Sequence, residues 1–224
     1  FHRERAFSAD VSHELRTPLA GLRSILEVSL SQPRDGEKYR QSIAESLDIT
    51  EHIQSMVQNL LWLARAEAGR VQVTRESVDL GELLNECWQS MEDRIRERSL
   101  QVEQHIQSPC PVQADRDKLQ QVIHNILENA VTYTNTGGRI RIEAGEKSER
   151  ISLRVTNTGS RVSPQDIPRV FDRFWRGDAA RTDTGHHCGL GLSLCRKIVT
   201  LLGGTITAET TDGEFTITIV FPPQ

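Results

Sequence analysis

Two long amphipathic stretches, joined by a short breaker, constrain how the first third of the chain can fold. Phe7, Val11, Leu15, Leu19, Leu22, Leu26 and Leu30 recur at steps of three or four. That spacing draws one apolar stripe along a helix running to about residue 30. Ser31-Gln32-Pro33-Arg34-Asp35-Gly36 breaks the pattern. Ile43, Leu47, Ile53, Val57, Leu60 and Ala64 draw a second stripe between about Glu37 and Glu67. Two such helices on a short turn make a hairpin. A lone hairpin leaves both stripes open to water. A second copy is expected to cover them, giving a dimeric four-helix bundle. The alternative is that they pack on the rest of the chain.

The chain has 224 residues, enough for two domains. Ala68-Gly69-Arg70 ends the second helix, and Val71 to Thr74 reads as a short strand. Asp79-Leu80-Gly81-Glu82 opens a helix to about Arg98. Strand Leu100 to Ile106, a helix from Asp115 to Tyr133, and strands Arg139 to Ala144 and Ile151 to Thr156 follow. Ser163-Pro164 starts a short helix, and Asp178 to His187 reads as a mobile loop. Gly191 to Leu202 is helical, and Thr205 to Glu209 with Phe215 to Phe221 closes the chain as a hairpin. The second half is therefore an α/β sandwich, about five strands against three helices. Expected boundaries are a helical domain at 1–67, a linker at 68–78 and an α/β domain at 79–224.

Composition removes several functions. Net charge is −4, and no basic stripe interleaves with aromatics, so nucleic acid is not an expected partner. No apolar run approaches the roughly 18 residues of a membrane span. Cys87, Cys110, Cys188 and Cys195 show no C-x-x-C pairing or zinc spacing and read as reduced cytosolic thiols. His186-His187-Cys188 is the one run that suggests a metal, but three adjacent side chains do not easily converge on one ion. The charged opening Phe1-His2-Arg3-Glu4-Arg5 reads as a piece of a longer chain.

His13 lies off the first apolar stripe, beside Glu14, with Thr17 one turn further along its face. Pro18 lacks a backbone donor and frees the Glu14 carbonyl. An isolated helical histidine is usually a solvated one. Ser12-His13-Glu14-Leu15-Arg16-Thr17-Pro18-Leu19, however, resembles the phosphoacceptor box of sensor histidine kinases, unbroken over eight residues. Further down, Asn125 and Asn129 share one helix face, where two amides can meet an oxygen-rich ligand or a hydrated Mg²⁺. Asn125-Ile126-Leu127-Glu128-Asn129-Ala130 with Tyr133-Thr134 resembles that family's N box. The resemblance implies that Asn129 ligates Mg²⁺, Asn125 contacts phosphate and Tyr133 lines the nucleotide site. The family usually has Lys or Arg where this chain has Thr132.

Three more boxes follow in the family's order. Val155 to Val162 falls at the first glycine box, commonly Asp-x-Gly-x-Gly, whose carboxylate accepts from the adenine amino group. Here Asn157 and Gly159 hold the first two positions, and Arg161 replaces the second glycine. An Asn oxygen accepts the same bond without the charge, and Asn-x-Gly here resembles the heavy-metal-sensing branch. Phe171-Asp172-Arg173-Phe174-Trp175-Arg176 resembles the F box, with Arg173 and Arg176 as candidates for the γ-phosphate. Gly189-Leu190-Gly191-Leu192 resembles the second glycine box, where backbone N–H groups close on phosphate at a helix start.

The resemblance covers essentially the whole chain. It implies ATP-dependent phosphorylation of His13, assisted by Glu14 and Mg²⁺, and onward transfer to a response-regulator receiver aspartate. Thr17 would orient a water if the regulator is also dephosphorylated. It further implies a homodimer, and the cytoplasmic part of a bacterial inner-membrane protein. A second reading keeps the fold and drops the chemistry: a dimerisation scaffold, given Asn157, Arg161 and Thr132. A third is a conformational ATPase of the gyrase and chaperone type, which needs no phosphoacceptor helix.

Overall fold

The structure is a computed structural model that describes residues 2–147, 149–177 and 188–222, and side chains from Val11 onward except that of Lys147. The expected loop at Asp178 to His187 and the Phe7 side chain lie outside the described residues. Helix α1 spans His2–Ser31 and α2 spans Gly36–Glu67, the hairpin of the sequence pattern. Asp35 caps α2 by accepting from the Lys38 N–H at 2.8 Å. At the other end the Arg70 N–H returns to the Arg65 carbonyl at 2.9 Å.

Val71 to Thr74 is not a strand. The chain becomes extended and paired only at β1, Glu76–Asp79, which meets β3, Pro111–Ala114, antiparallel. A strand needs a ladder partner, and this one lies beyond the reach of local pattern. The helix expected from Asp79 to Arg98 is two: α3 (Leu80–Gln89) and α4 (Glu92–Glu97). At the break the Ser90 hydroxyl donates to the Cys87 carbonyl at 2.8 Å, and Met91 turns into the core.

The main sheet joins β2 (Gln101–Ile106), β4 (Arg139–Lys147), β5 (Arg150–Thr158), β7 (Glu214–Phe221) and β6 (Thr205–Thr211) in the order β2-β4-β5-β7-β6. The β2–β4 pair is parallel and the others are antiparallel. Ile140, Ile142, Leu153, Val155, Ile217 and Ile219 bury one face of the sheet, and α3, α5 (Arg116–Tyr133) and α6 (Gly191–Leu201) supply the rest of that core. On the alternate face polar residues pair with one another, in solvent as Arg141–Glu103 at 3.2 Å or buried as the Thr156 and Thr216 hydroxyls at 2.9 Å.

The hairpin stripes have two fates. Met56, Leu60 and Leu63 of α2 belong to the same core as the α/β domain, and Lys118 of α5 sits over the Trp62 ring at 5.8 Å. Nearer the turn the stripe is bare: Leu30 is 86% exposed, Ile43 65% and Leu47 55%. Packing on the α/β domain accounts for one half and leaves the other exposed.

Candidate active site

Helix α5 presents Asn125, Asn129 and Tyr133 on one face. The Asn125 amide nitrogen donates back to the Gln121 carbonyl at 2.9 Å, and that of Asn129 to the Asn125 carbonyl at 3.0 Å. Both amides thus spend a donor on their own helix and keep their oxygens for another group. Gly191, first residue of α6, lies against them: a Cβ there would come 3.3 Å from Asn125 Oδ1. The N-terminal turn of α6, with its free N–H groups and positive dipole end, therefore faces the two amides. Leu190 is buried and its carbonyl accepts from the Ser193 hydroxyl at 2.8 Å, while Leu192 is half-buried against the core. The Asn125 oxygen and the Asn129 amide beside an anion-attracting helix start fit an oxygen-rich ligand such as phosphate with its cation.

The turn of Phe171 to Arg176 locks onto the same glycine segment. The Phe174 N–H donates to the Gly189 carbonyl at 2.9 Å. Gly189 has φ +70°, and a Cβ there would stand 2.7 Å from the Phe174 carbonyl carbon, so conformation and space both require glycine. From α6, Arg196 stacks over Phe171 at 5.5 Å. Arg176 is half-buried. Arg173 pairs with Glu67 at the end of α2.

The end of β5 closes the opposite side. Asn157 is buried, and Gly159 follows at φ +82°. A Cβ on Gly159 would run into Asn135, whose side-chain oxygen accepts from the Thr158 hydroxyl at 3.1 Å. The segment after α5 is thus seated directly on this turn.

His13 and Thr17 are exposed on α1, and Glu14 is half-buried. Val11 and Leu15, flanking them, pack on the shared core. Burial pushes the Cys188 thiol up, and the Glu14 carboxylate adds to the rise. His186 and His187 lie outside the described residues. Among the described residues no cluster of His, Cys, Asp and Glu suits a metal ion.

The glycine segment at the start of α6 thus meets both the face of α5 and the Phe171–Arg176 turn, while the end of β5 meets the segment that follows α5. Sequence reasoning missed Asn135 and the two arginines of the α4 segment, Arg94 and Arg98, which hold the end of α5. Their partners lie more than thirty positions away, so no local pattern marks them.

Residues 3–69 match the His Kinase A (phospho-acceptor) domain, and residues 114–224 match the histidine kinase-, DNA gyrase B-, and HSP90-like ATPase. The chain belongs to the sensor histidine kinases. Among the relatives of this kinase, the sensor protein CopS of Pseudomonas syringae pv. tomato is 32% identical over 87% of the chain and 39% of its own length. BaeS of Escherichia coli (strain K12), a signal transduction histidine-protein kinase, is 33% identical over 97% of the chain and 46% of its own. The kinase chain thus spans less than half the length of these relatives. Among solved structures, the histidine kinase AdeS of Acinetobacter baumannii has a TM-score of 0.76 at 24% identity, covering 94% of this chain and 97% of AdeS. Full-length ShkA in complex with AMPPNP has a TM-score of 0.71 at 27% identity, covering 96% of this chain and 45% of ShkA. No described helix of the kinase is long and apolar enough to cross a membrane.

Proposed function

We propose that this chain phosphorylates itself on His13 with ATP and passes the phosphoryl group to an aspartate of a response-regulator receiver domain. The observation that carries the reading is the approach of Gly191 to Asn125 and Asn129. It forms one pocket wall from a helix start and two oriented amides, the combination a nucleotide triphosphate needs.

Each group then has a task. Asn157 accepts from the adenine amino group, Gly159 lets the base approach the backbone, and Tyr133 covers it. The N–H groups at Gly189, Leu190, Gly191 and Leu192 hold phosphate, with Asn125 and the guanidinium of Arg176. Asn129 would hold Mg²⁺, which when bound neutralises charge on the phosphate oxygens. A neutral imidazole nitrogen of His13 attacks the γ-phosphorus, the bond to the β–γ bridging oxygen breaks, and ADP leaves. Glu14 accepts from the other ring nitrogen and stabilises the positive charge that develops. Thr17, one turn on, orients a water for the reverse duty of regulator dephosphorylation. The bare stripe of Leu30, Ile43 and Leu47 supports a homodimer. CopS and CusS among the relatives support the metal-sensing branch, and the family supports a cytoplasmic place beside a membrane anchor.

Incubation with γ-labelled ATP and Mg²⁺, followed by acid and base treatment, tests the reading. Label that is lost in acid and survives base is phosphohistidine. No label, with no binding of an ATP analogue, would leave the dimerisation scaffold standing instead.

A further inference from the structure

The C-terminus of α5 is where the two sides of the candidate site join, and its own residues do not finish it. A helix ends with carbonyls that lack intrahelical donors. Helix α5 has no basic residue in its last turn and passes into Thr134 in an extended conformation rather than a left-handed cap. The Ala130 carbonyl is closed locally by Thr134, from its N–H at 3.1 Å and its hydroxyl at 2.5 Å. The next carbonyls are closed from elsewhere. Arg98, just after α4, donates from Nη1 to the Val131 and Thr132 carbonyls, the latter at 2.7 Å, and from Nη2 to the Thr134 carbonyl at 2.6 Å.

The backbone around Arg98 extends the grip. Its carbonyl accepts from the Gly137 N–H at 3.0 Å, and the Gln101 N–H donates to the Gly138 carbonyl at 2.8 Å. One turn earlier, Arg94 reaches both oxygens of Glu128 at 2.6 Å and the Thr132 hydroxyl at 2.9 Å. Beyond Thr134 the held segment continues into Asn135, which carries the hydrogen bond from Thr158. Thr158 stands between Asn157 and Gly159.

We propose that Arg98 is a positioning residue for nucleotide binding. Its fork fixes the end of α5 that carries Asn129 and Tyr133. Through Thr134 and Asn135 it also sets that end against Asn157 and Gly159. One guanidinium supplies both the cation that the helix end lacks and a rigid geometry spanning three carbonyls. A lysine keeps the charge and loses the fork. The proposal rests on the ATP reading above.

The test is calorimetric titration of the whole chain with a non-hydrolysable ATP analogue and Mg²⁺, beside thermal melts, for the parent, Arg98→Lys, Arg98→Ala and Arg96→Ala. Arg96 lies on α4, exposed and ion-paired with Asp93 at 3.2 Å, and serves as the control. Arg98→Lys is expected to melt close to the parent and bind about five- to tenfold more weakly. Arg98→Ala is expected to bind more weakly still and to regain affinity on addition of millimolar guanidinium. In labelling assays the loss falls on KM for ATP rather than on kcat. If Arg98→Ala does not fold, Arg98→Lys decides. Unchanged affinity in Arg98→Lys, or a lowered melting temperature with parental affinity in Arg98→Ala, would overturn the proposal and leave a helix cap. A parent that binds the analogue but takes no label overturns the phosphotransfer reading alone. A parent that binds no analogue overturns both.

Discussion

Arg173 is ion-paired with Glu67, the last residue of α2, across 106 positions of sequence. The pair ties the hairpin to the ATP-binding domain. A carboxylate and a phosphate are alternative ligands for one guanidinium, and Arg173 is the residue read from sequence as a γ-phosphate contact. On that reading Glu67 and nucleotide compete for Arg173. Its side chain is 56% exposed, so the pair is screened and modest. Glu67→Gln is expected to tighten ATP binding by about two- to fivefold. Weaker binding in a titration would show that the two ligands do not compete.

His13→Gln is expected to abolish acid-labile labelling while nucleotide affinity stays at the parental value, because His13 is exposed on α1 and none of the groups proposed to hold ATP is altered. Residual acid-labile label on that variant would assign the chemistry to another histidine.

Asn157 is 5% exposed, so a lost adenine contact there is not replaced by water. Asn157→Ala is expected to cost roughly 1 kcal/mol of binding, several-fold in affinity. Asn157→Asp restores a charged acceptor and is expected to bind at least as tightly as the parent. Parental affinity in Asn157→Ala, measured by calorimetry, would remove Asn157 from the adenine site.

The bare stripe near the hairpin turn predicts a dimer for the whole chain at micromolar concentration. Ile43→Lys combined with Leu47→Lys places charge on that stripe and is expected to give a monomer in sedimentation velocity with the α/β domain still folded. An unchanged dimer would locate the interface elsewhere.

Asp79 governs a pH-dependent part of the fold. Burial acts to raise its carboxyl, but the backbone N–H groups of Glu82, Cys110 and Gly81 outweigh burial and hold it below the ordinary carboxylate value. A lowered folded value means stability that is present above the ordinary carboxylate range and is lost as pH falls through the folded value. Asp79→Ala is expected to cost about 1–2 kcal/mol at neutral pH. The gap to the parent should close in acid. A gap that persists below that range in denaturant melts would mean that the carboxylate is not the source.

Much of this arrangement is legible in the residues. Asp79 and Asp115 each cap the helix that the sequence opens there, and the spacing of Asn125 and Asn129 places both amides on the face that meets α6. What could not be read depends on distant partners. Val71 to Thr74 has strand composition but no ladder, whereas Glu76 to Asp79 is paired because Pro111 to Ala114 lies beside it. Likewise nothing near Arg98 indicates that it finishes α5, nor anything near Arg173 that its partner is Glu67. Local pattern carries periodicity and caps, while the pairing of long charged side chains is settled by tertiary packing.

Met56, Leu60 and Leu63 sit in the hairpin and in the core of the ATP-binding domain at once. Carrying a γ-phosphate to His13 by swinging that domain would bring these side chains into water. Newly wetted apolar surface raises heat capacity, so the cost of such a swing curves with temperature. Cooling loosens the seam, as it loosens all apolar contact. The ease with which the domain leaves its helix thus carries a thermal dependence of its own, separate from that of the bond-breaking step.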